Sequence, residues 1–261
     1  TALQLAASLG HVEVVARMIQ GGAHVDWLHR GRGRTALMDA AAGPPVGPGA
    51  SYPDSHLTSL ARLPTSHTWW RQRRRQLDGV AEAAEADAKA SPEGRAACAT
   101  LLLDAGASPT MTTVAGLTPL MLAARCGGRG GAAVTRLLIT RCRGDAFRLA
   151  SLVNAKATTA ENHSTALHYA AQGGHVEVVD ELLRAGCDVD AETGSGATAT
   201  MLAVAGGHVT CVELLMEAGA QVNTPSTWLD GRSARILAEE RANDEEREEE
   251  EEKEAAVEGT K

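Results

Sequence analysis

The sequence predicts an all-α fold, a solenoid of stacked helix-turn-helix units, and three observations carry that expectation. The first is self-similarity. Thr165-Ala-Leu-His-Tyr-Ala-Ala171, Gly174-His175 and Leu182-Leu183 recur as Thr198-Ala-Thr-Met-Leu-Ala-Val204, Gly207-His208 and Leu214-Leu215, at intervals of 33, 33 and 32 residues. A period of that size marks units that cannot bury their apolar faces singly and so share a continuous core. The second is composition: 44% of the 261 residues are apolar but only 3% are aromatic, with a single phenylalanine. Closely packed Ala- and Leu-rich helices do without large rings, which a compact globule of this length normally uses. The third is the location of the charge. The net charge is −8, and Glu239 to Lys261 alone holds twelve acids and four bases, leaving residues 1–238 balanced at 21 of each.

One unit can be read residue by residue. Ala166, Leu167, Ala170 and Ala171 fall at helical spacing behind Thr165, whose hydroxyl is placed to accept a backbone N–H as an N-cap. Gly173-Gly174 breaks this first helix. Val176, Val178, Val179, Leu182 and Leu183 then form the apolar stripe of a second, with Glu177, Asp180, Glu181 and Arg184 on its charged face. Gly186 ends it as a C′ glycine, and Val189 to Ala197, polar and glycine-containing, reads as an extended loop or hairpin. This stretch, TALHYAAQGGHVEVVDELLRAGCDVDAETGSGAT, resembles the ankyrin repeat almost position for position, and Gly116-Leu-Thr-Pro-Leu120 supplies the family's Thr-Pro-Leu turn. The resemblance covers roughly four fifths of the chain, as four to five repeats and a degenerate last one. It implies an ankyrin-repeat solenoid with hairpin loops, one long insertion and a disordered acidic tail.

In chain order, residues 1–26 read as a partial first repeat lacking its leading hairpin. Because Thr1 sits at a helix-starting position, the natural chain is expected to extend further at this end. Residues 27–115 form a second repeat split by an insertion at about 43–92. The insertion begins in Gly43-Pro-Pro-Val-Gly-Pro-Gly-Ala50, which cannot hold regular structure. It ends in Leu77 to Ala90, a candidate solvated helix, and Ser91-Pro92-Glu93 restarts the second helix as N-cap, N1 proline and acidic first turn. Residues 116–156 form a third repeat, with a lengthened turn at Gly127 to Gly131 and a long exit from which Phe147 and Leu149 tuck back on the stack. Residues 157–190 and 191–223 are the regular fourth and fifth repeats, Thr200 standing where a leucine is expected. Residues 224–242 read as a degenerate capping repeat, and 243–261 as a solvated acidic tail.

No chemistry is expected of this chain. Gly127, Gly128, Gly130 and Gly131 lack the lysine and Ser/Thr of a phosphate-binding loop. His11, His175 and His208 occupy equivalent helix starts and read as structural, as does His168, which resembles the family's histidine bonding to neighbouring hairpins. Cys98, Cys126, Cys142, Cys187 and Cys211 form no C-x-x-C pair, which argues against a metal site and for a reducing, intracellular setting. There is no run of 18 apolar residues to span a membrane. No cofactor and no catalytic residue are expected, and the chain is expected to be monomeric.

Binding is the function the resemblance implies, to a protein partner whose identity the residues leave open, through hairpin tips and the exposed side of each first helix. Carried onto this sequence, the tip slots are Leu28, His29 and Arg30, then Thr112, Thr113 and Val114, then Ala160, Glu161 and Asn162, then Glu192, Thr193 and Ser195. The helix slots are Leu5, Ser8 and Leu9, then Asp39, then Leu122 and Arg125, then Tyr169 and Gln172, then Leu202, with Tyr169 the best single anchor. A second reading rests on Trp69, Trp70, Arg71, Arg73, Arg74 and Arg75 in the insertion, where guanidinium groups beside indoles can grip a nucleic acid or other polyanion, or be neutralised by the tail. A third makes the chain a regulatory or targeting part of an enzyme whose catalytic domain precedes Thr1.

Overall fold

The computed structural model describes residues 1–28, 33–43 and 92–222. Among them the chain forms eleven α-helices, one short 3-10 turn and no strand beyond an isolated antiparallel bridge between Glu192 and Thr198. The helices pair as the repeat pattern requires. Two compact units, Thr1–Ser108 and Pro109–Lys261, divide the chain.

The unit Thr1–Ser108 holds α1 (Ala2–Leu9), α2 (Val12–Gln20), α3 (Ala36–Ala42) and α4 (Pro92–Asp104). The first helices α1 and α3 lie side by side, and α4 packs on α1, α2 and α3. What lets them approach is the size of the facing side chains: Ala7, Ala40, Ala41 and Ala99 are completely buried, with Leu37, Met38 and Leu102 filling the space between. Thr1 and Thr35 cap their helices, accepting from Gln4 and Met38 N–H at 3.3 and 3.4 Å. Each such cap contributes about 1 kcal/mol. Although 82 residues separate them, Ser108 donates its N–H to both oxygens of Asp26, at 3.1 and 3.2 Å, so the insertion leaves the two loops in repeat register. The second helix restarts at Pro92, with Glu93 in its first turn, as Ser91-Pro92-Glu93 suggests. Residues 44–91, with the helix expected at Leu77 to Ala90, lie outside the described residues, as do 223–261 with the expected cap and acidic tail.

The unit Pro109–Lys261 contains α5 (Pro119–Cys126), α6 (Gly128–Cys142), α7 (Ala146–Val153), α8 (Ala166–Gln172), α9 (Val176–Arg184), α10 (Ala199–Gly206) and α11 (Val209–Glu217). They stand in two rows. An inner row α5–α8–α10 packs against an outer row α6–α9–α11, each inner helix touching its own outer partner, and α7 leans on α6. Leu120, Leu138, Leu182 and Leu215 lie in this core with no exposed surface. Each such leucine contributes about 2 kcal/mol by leaving water. Asn154 and Asp190 repeat the tie made by Asp26, accepting from Asp188 and Gln221 N–H at 2.9 Å each.

Three expectations are corrected here. The glycines at 127–131 do not form a lengthened turn: Gly127 alone makes the corner, and Gly128 to Gly131 are the first turn of a fifteen-residue helix. Phe147 does not tuck back. The long exit is helix α7, capped where Asp145 accepts the Arg148 N–H at 3.1 Å, and it buries Leu152 and Val153 while Phe147 is 83% exposed. The buried leucines are Leu182 and Leu215, which are 33 residues apart, so the 32-residue interval disappears; Leu214 stands where α9 has Glu181.

Gly127 has φ +59°, and a Cβ there would fall inside the His175 ring. Gly127→Ala is therefore expected to cost about 2–4 kcal/mol in urea unfolding, while Gly144→Ala, with no atom within 4 Å, is close to neutral. The Thr135 and Thr200 hydroxyls are buried and meet no hydrogen-bond partner. Thr135→Val and Thr200→Val keep the shape and remove the stranded group, so each is expected to raise the unfolding free energy by about 1 kcal/mol.

Candidate functional site

A buried side chain at the third position of the first helix holds the base of the hairpin that follows. His168 Nε2 lies 3.0 Å from the Ala191 carbonyl oxygen and 3.2 Å from that of Ala197. Carbonyls only accept, so Nε2 carries the proton. Nδ1 accepts the Thr165 N–H at 3.1 Å and faces its hydroxyl at 2.8 Å, so the helix is capped through the ring. The imidazole is neutral: burial pushes its pKa down from 6.5 to about 4, against the smaller opposing effect of the two carbonyls. Gln4 does the same work in the other unit, donating Nε2–H to the Arg34 and Trp27 carbonyls at 2.6 and 3.4 Å. Met38 and Met121 fill the slot elsewhere, with the Thr35 and Thr118 N–H groups directed at their sulfurs.

Above these bases, the hairpins of the unit Pro109–Lys261 are tied into a row. Thr158 donates its N–H and hydroxyl to the Ala115 carbonyl at 3.2 and 2.8 Å. Gly194 N–H donates to the Asn162 carbonyl at 2.7 Å, and Asn162 Nδ2 donates to Ser195 Oγ at 2.8 Å. Asn162 and His163 take left-handed φ values of 55° and 52° to make this tip, a conformation Asn tolerates better than most residues. Thr113 and Thr193 turn inward, their hydroxyls accepting from Leu117 and Ala197 N–H at 3.0 Å each. Thr112, Val114, Ala160, Asn162 and Glu192 remain exposed, Val114 to 86%, with Glu161 and Ser195 partly so.

On the inner helices, Arg125 and Gln172 are exposed, Leu202 is half-buried and Leu122 is fully buried. Tyr169 forms the floor of this face, at 8% exposure, and does not project from it. Its hydroxyl donates to Glu161 Oε2 at 2.8 Å, and the Arg125 guanidinium lies over its ring, 5.9 Å from the centre. Burial, and then the Glu161 carboxylate, hold the phenol well above its usual pKa. A cation and an anion on the surface are thus both anchored to one buried ring. Sequence spacing gives no hint of this link, because the three residues belong to two neighbouring repeats.

In the unit Thr1–Ser108, Leu28 is 42% exposed beside Trp27 at 55%. The slots had passed over Trp27; its signal is an indole where the equivalent position after Asp190 is Ala191. Asp39 faces Arg34 at 3.5 Å, the Ser8 hydroxyl donates to the Leu5 carbonyl at 2.9 Å, and Leu5 and Leu9 are half-buried. His29, Arg30 and the cluster Trp69, Trp70, Arg71, Arg73, Arg74 and Arg75 lie outside the described residues.

His11, His175 and His208 each stand at a second-helix N-cap, and the His208 Nε2 lies 3.1 Å from the Gln172 carbonyl. None of the five cysteines is joined in a disulfide, and burial pushes the Cys98 and Cys187 thiols up to about 11 and about 12. Among the described residues no three His, Cys, Asp or Glu side chains are grouped to hold a metal, and no helix is long and apolar enough to cross a membrane.

Residues 143–226 match the family model for ankyrin repeats in three copies, and residues 1–30 match the ankyrin repeat model. The matches leave out residues 31–142, which include the long insertion. No curated protein matches the chain.

His168 binds a proton more weakly folded than unfolded, so its contribution to stability is constant above pH 6.5 and falls as pH drops from 6.5 towards 4. The loss expected between pH 7 and pH 5 is about 2 kcal/mol. His168→Gln, which installs the residue found at Gln4, removes that part of the slope; urea midpoints of both proteins at the two pH values measure it.

Proposed function

Taking the chain for what these matches make it, an ankyrin repeat domain-containing protein, we propose that the unit Pro109–Lys261 binds a protein partner across its hairpin tips and inner helices, through Thr112, Val114, Arg125, Glu161, Asn162, Gln172, Glu192 and Ser195. Ankyrin repeats generally mediate protein–protein interaction, and the family is typically a non-catalytic binding module. The observation that carries the reading is the Arg125–Tyr169–Glu161 arrangement, with its 2.8 Å hydroxyl–carboxylate bond. Long charged side chains normally lose rotamer freedom on binding, at about 0.5–1.5 kcal/mol each. Here the tyrosine has already restricted both, so a partner meets a prepared pair of opposite charges.

The exposed Val114 supplies the apolar contact such a partner needs, and the tied hairpins supply a rigid frame. Tyr169 contributes by fixing its neighbours and does not itself project. In the other unit Trp27 and Leu28 offer a separate apolar contact. We place the protein inside the cell as a monomeric scaffold, since five cysteines outside any disulfide fit a reducing compartment.

A photo-crosslinking residue at position 114 or 192 is expected to capture the partner, whereas one at Glu177 or Glu213, on the outer helices, is not. With that partner in hand, Arg125→Ala and Tyr169→Phe should each raise the dissociation constant about tenfold while leaving the fold intact. Capture from the outer positions alone, or affinity indifferent to both substitutions, would remove the proposal.

A further inference from the structure

In the unit Pro109–Lys261 the charges of the outer helices are sorted along the row. Residues 127–153, which make α6 and α7, carry Arg129, Arg136, Arg141, Arg143 and Arg148 against Asp145 alone, a net +4. Helix α9 carries Glu177, Asp180 and Glu181 against Arg184, a net −2, and α11 carries Glu213 and Glu217, again −2. Arg136 is tied to Glu181 at 2.6 Å. Arg129 and Arg143 stand seven residues to either side of it, on nearly the same side of the helix, and both are exposed. Arg148 is exposed on α7, one residue after Phe147. The only phenylalanine of the chain therefore stands in water, four residues after Arg143 and next to Arg148 in sequence, although the helix that carries it buries Leu152 and Val153.

An exposed apolar ring on a basic stretch of helix complements an acidic segment that has an apolar residue within it. This chain possesses one. Glu239 to Lys261 has a net charge of −8 and sets Ala255-Ala256-Val257 between Glu254 and Glu258. It also has the reach: residues 223–238 alone are sixteen residues and can extend about 50 Å, while α6 is two helix spacings from α11, about 20 Å. The outer helices nearest its point of departure, α11 and α9, repel it, and the α6–α7 corner attracts it. Being tethered, it reaches that corner at an effective concentration on the order of millimolar.

We propose that the acidic segment Glu239 to Lys261 docks in cis along α6 and α7, its glutamates against Arg143 and Arg148 at the corner between them and against Arg129 about 20 Å away at the start of α6, and its Ala255-Ala256-Val257 run against Phe147. The docked segment lies on α6 and α7 and leaves the hairpin tips and inner helices open, so the contact is independent of the partner-binding face.

The single phenylalanine makes a direct test available. Incorporating 4-fluorophenylalanine gives the full chain one fluorine resonance, at position 147. At low salt that resonance should be displaced from its position in a full-length variant with Glu245, Glu246 and Glu248 to Glu252 changed to Gln. It should merge with the variant's at about 1 M salt, where the screening length is about 3 Å. A synthetic peptide of residues 239–261 added to the Gln variant should restore the displacement, with affinity weakening about tenfold or more as salt rises. Arg129→Ser, Arg143→Ser and Arg148→Ser together should abolish it, whereas Arg71, Arg73, Arg74 and Arg75 changed to Ala should not. Coincident resonances at low salt overturn the proposal. So does a displacement that vanishes only with the insertion arginines, and so does one that grows with protein concentration, which marks a second copy as the occupant.

Discussion

A helix pair whose apolar side is mostly alanine and leucine has no interior of its own, so it can leave water only against the pair beside it. That lateral burial is the constraint on which the rest depends. It explains why Ala7, Ala40, Ala41, Ala123, Ala170 and Ala203 have no exposed surface, since larger side chains at those positions would hold the helices apart. It also explains how a long insertion is tolerated. The insertion enters after α3 and leaves before α4, both of which keep their neighbours, and the bond from Ser108 to Asp26 keeps the loop in register. Loop-closure entropy rises only slowly with length, by about 0.6 kcal/mol per doubling, so the stack absorbs it.

Lateral burial creates a polar problem at the hairpins, where each loop must satisfy its backbone without a sheet. The third residue of the first helix solves it with different chemistries. His168 and Gln4 reach two carbonyls each, from equivalent places in the two units. Methionine at 38 and 121 gives up those donors and turns its sulfur towards the preceding threonine N–H. Volume is kept in every case, while the histidine alone adds a titrating group. One slot can thus be varied without altering the frame.

Because the frame is fixed by backbone and buried groups, the exposed side chains are free to differ from unit to unit, and it is there that we propose recognition. Arg125, Glu161 and Val114 stand on helices and hairpins held by their own backbone bonds. The outer helices tell a complementary story: they share the same buried positions yet run from basic at α6 and α7 to acidic at α9 and α11. Folding places no demand on that order.

The sequence by itself determined the repeat, its threonine caps, the break between paired helices and the helix that begins at Pro92. These are local matters, set by side chains within three or four residues of one another along a helix. It also marked which slots face outward in principle, and so reached Arg125, Glu161, Val114 and Tyr169 one at a time. Tertiary structure decided what each does. Tyr169 becomes a floor because Arg125 and Glu161 close over it; Thr113 and Thr193 turn inward because Leu117 and Ala197 N–H need acceptors; Phe147 turns outward because Leu152 and Val153 take the buried side of α7. Gly127 is required by a histidine 48 residues further on. Burial in a stack is settled by whichever unit lies alongside, and distance along the chain does not report that neighbour's shape.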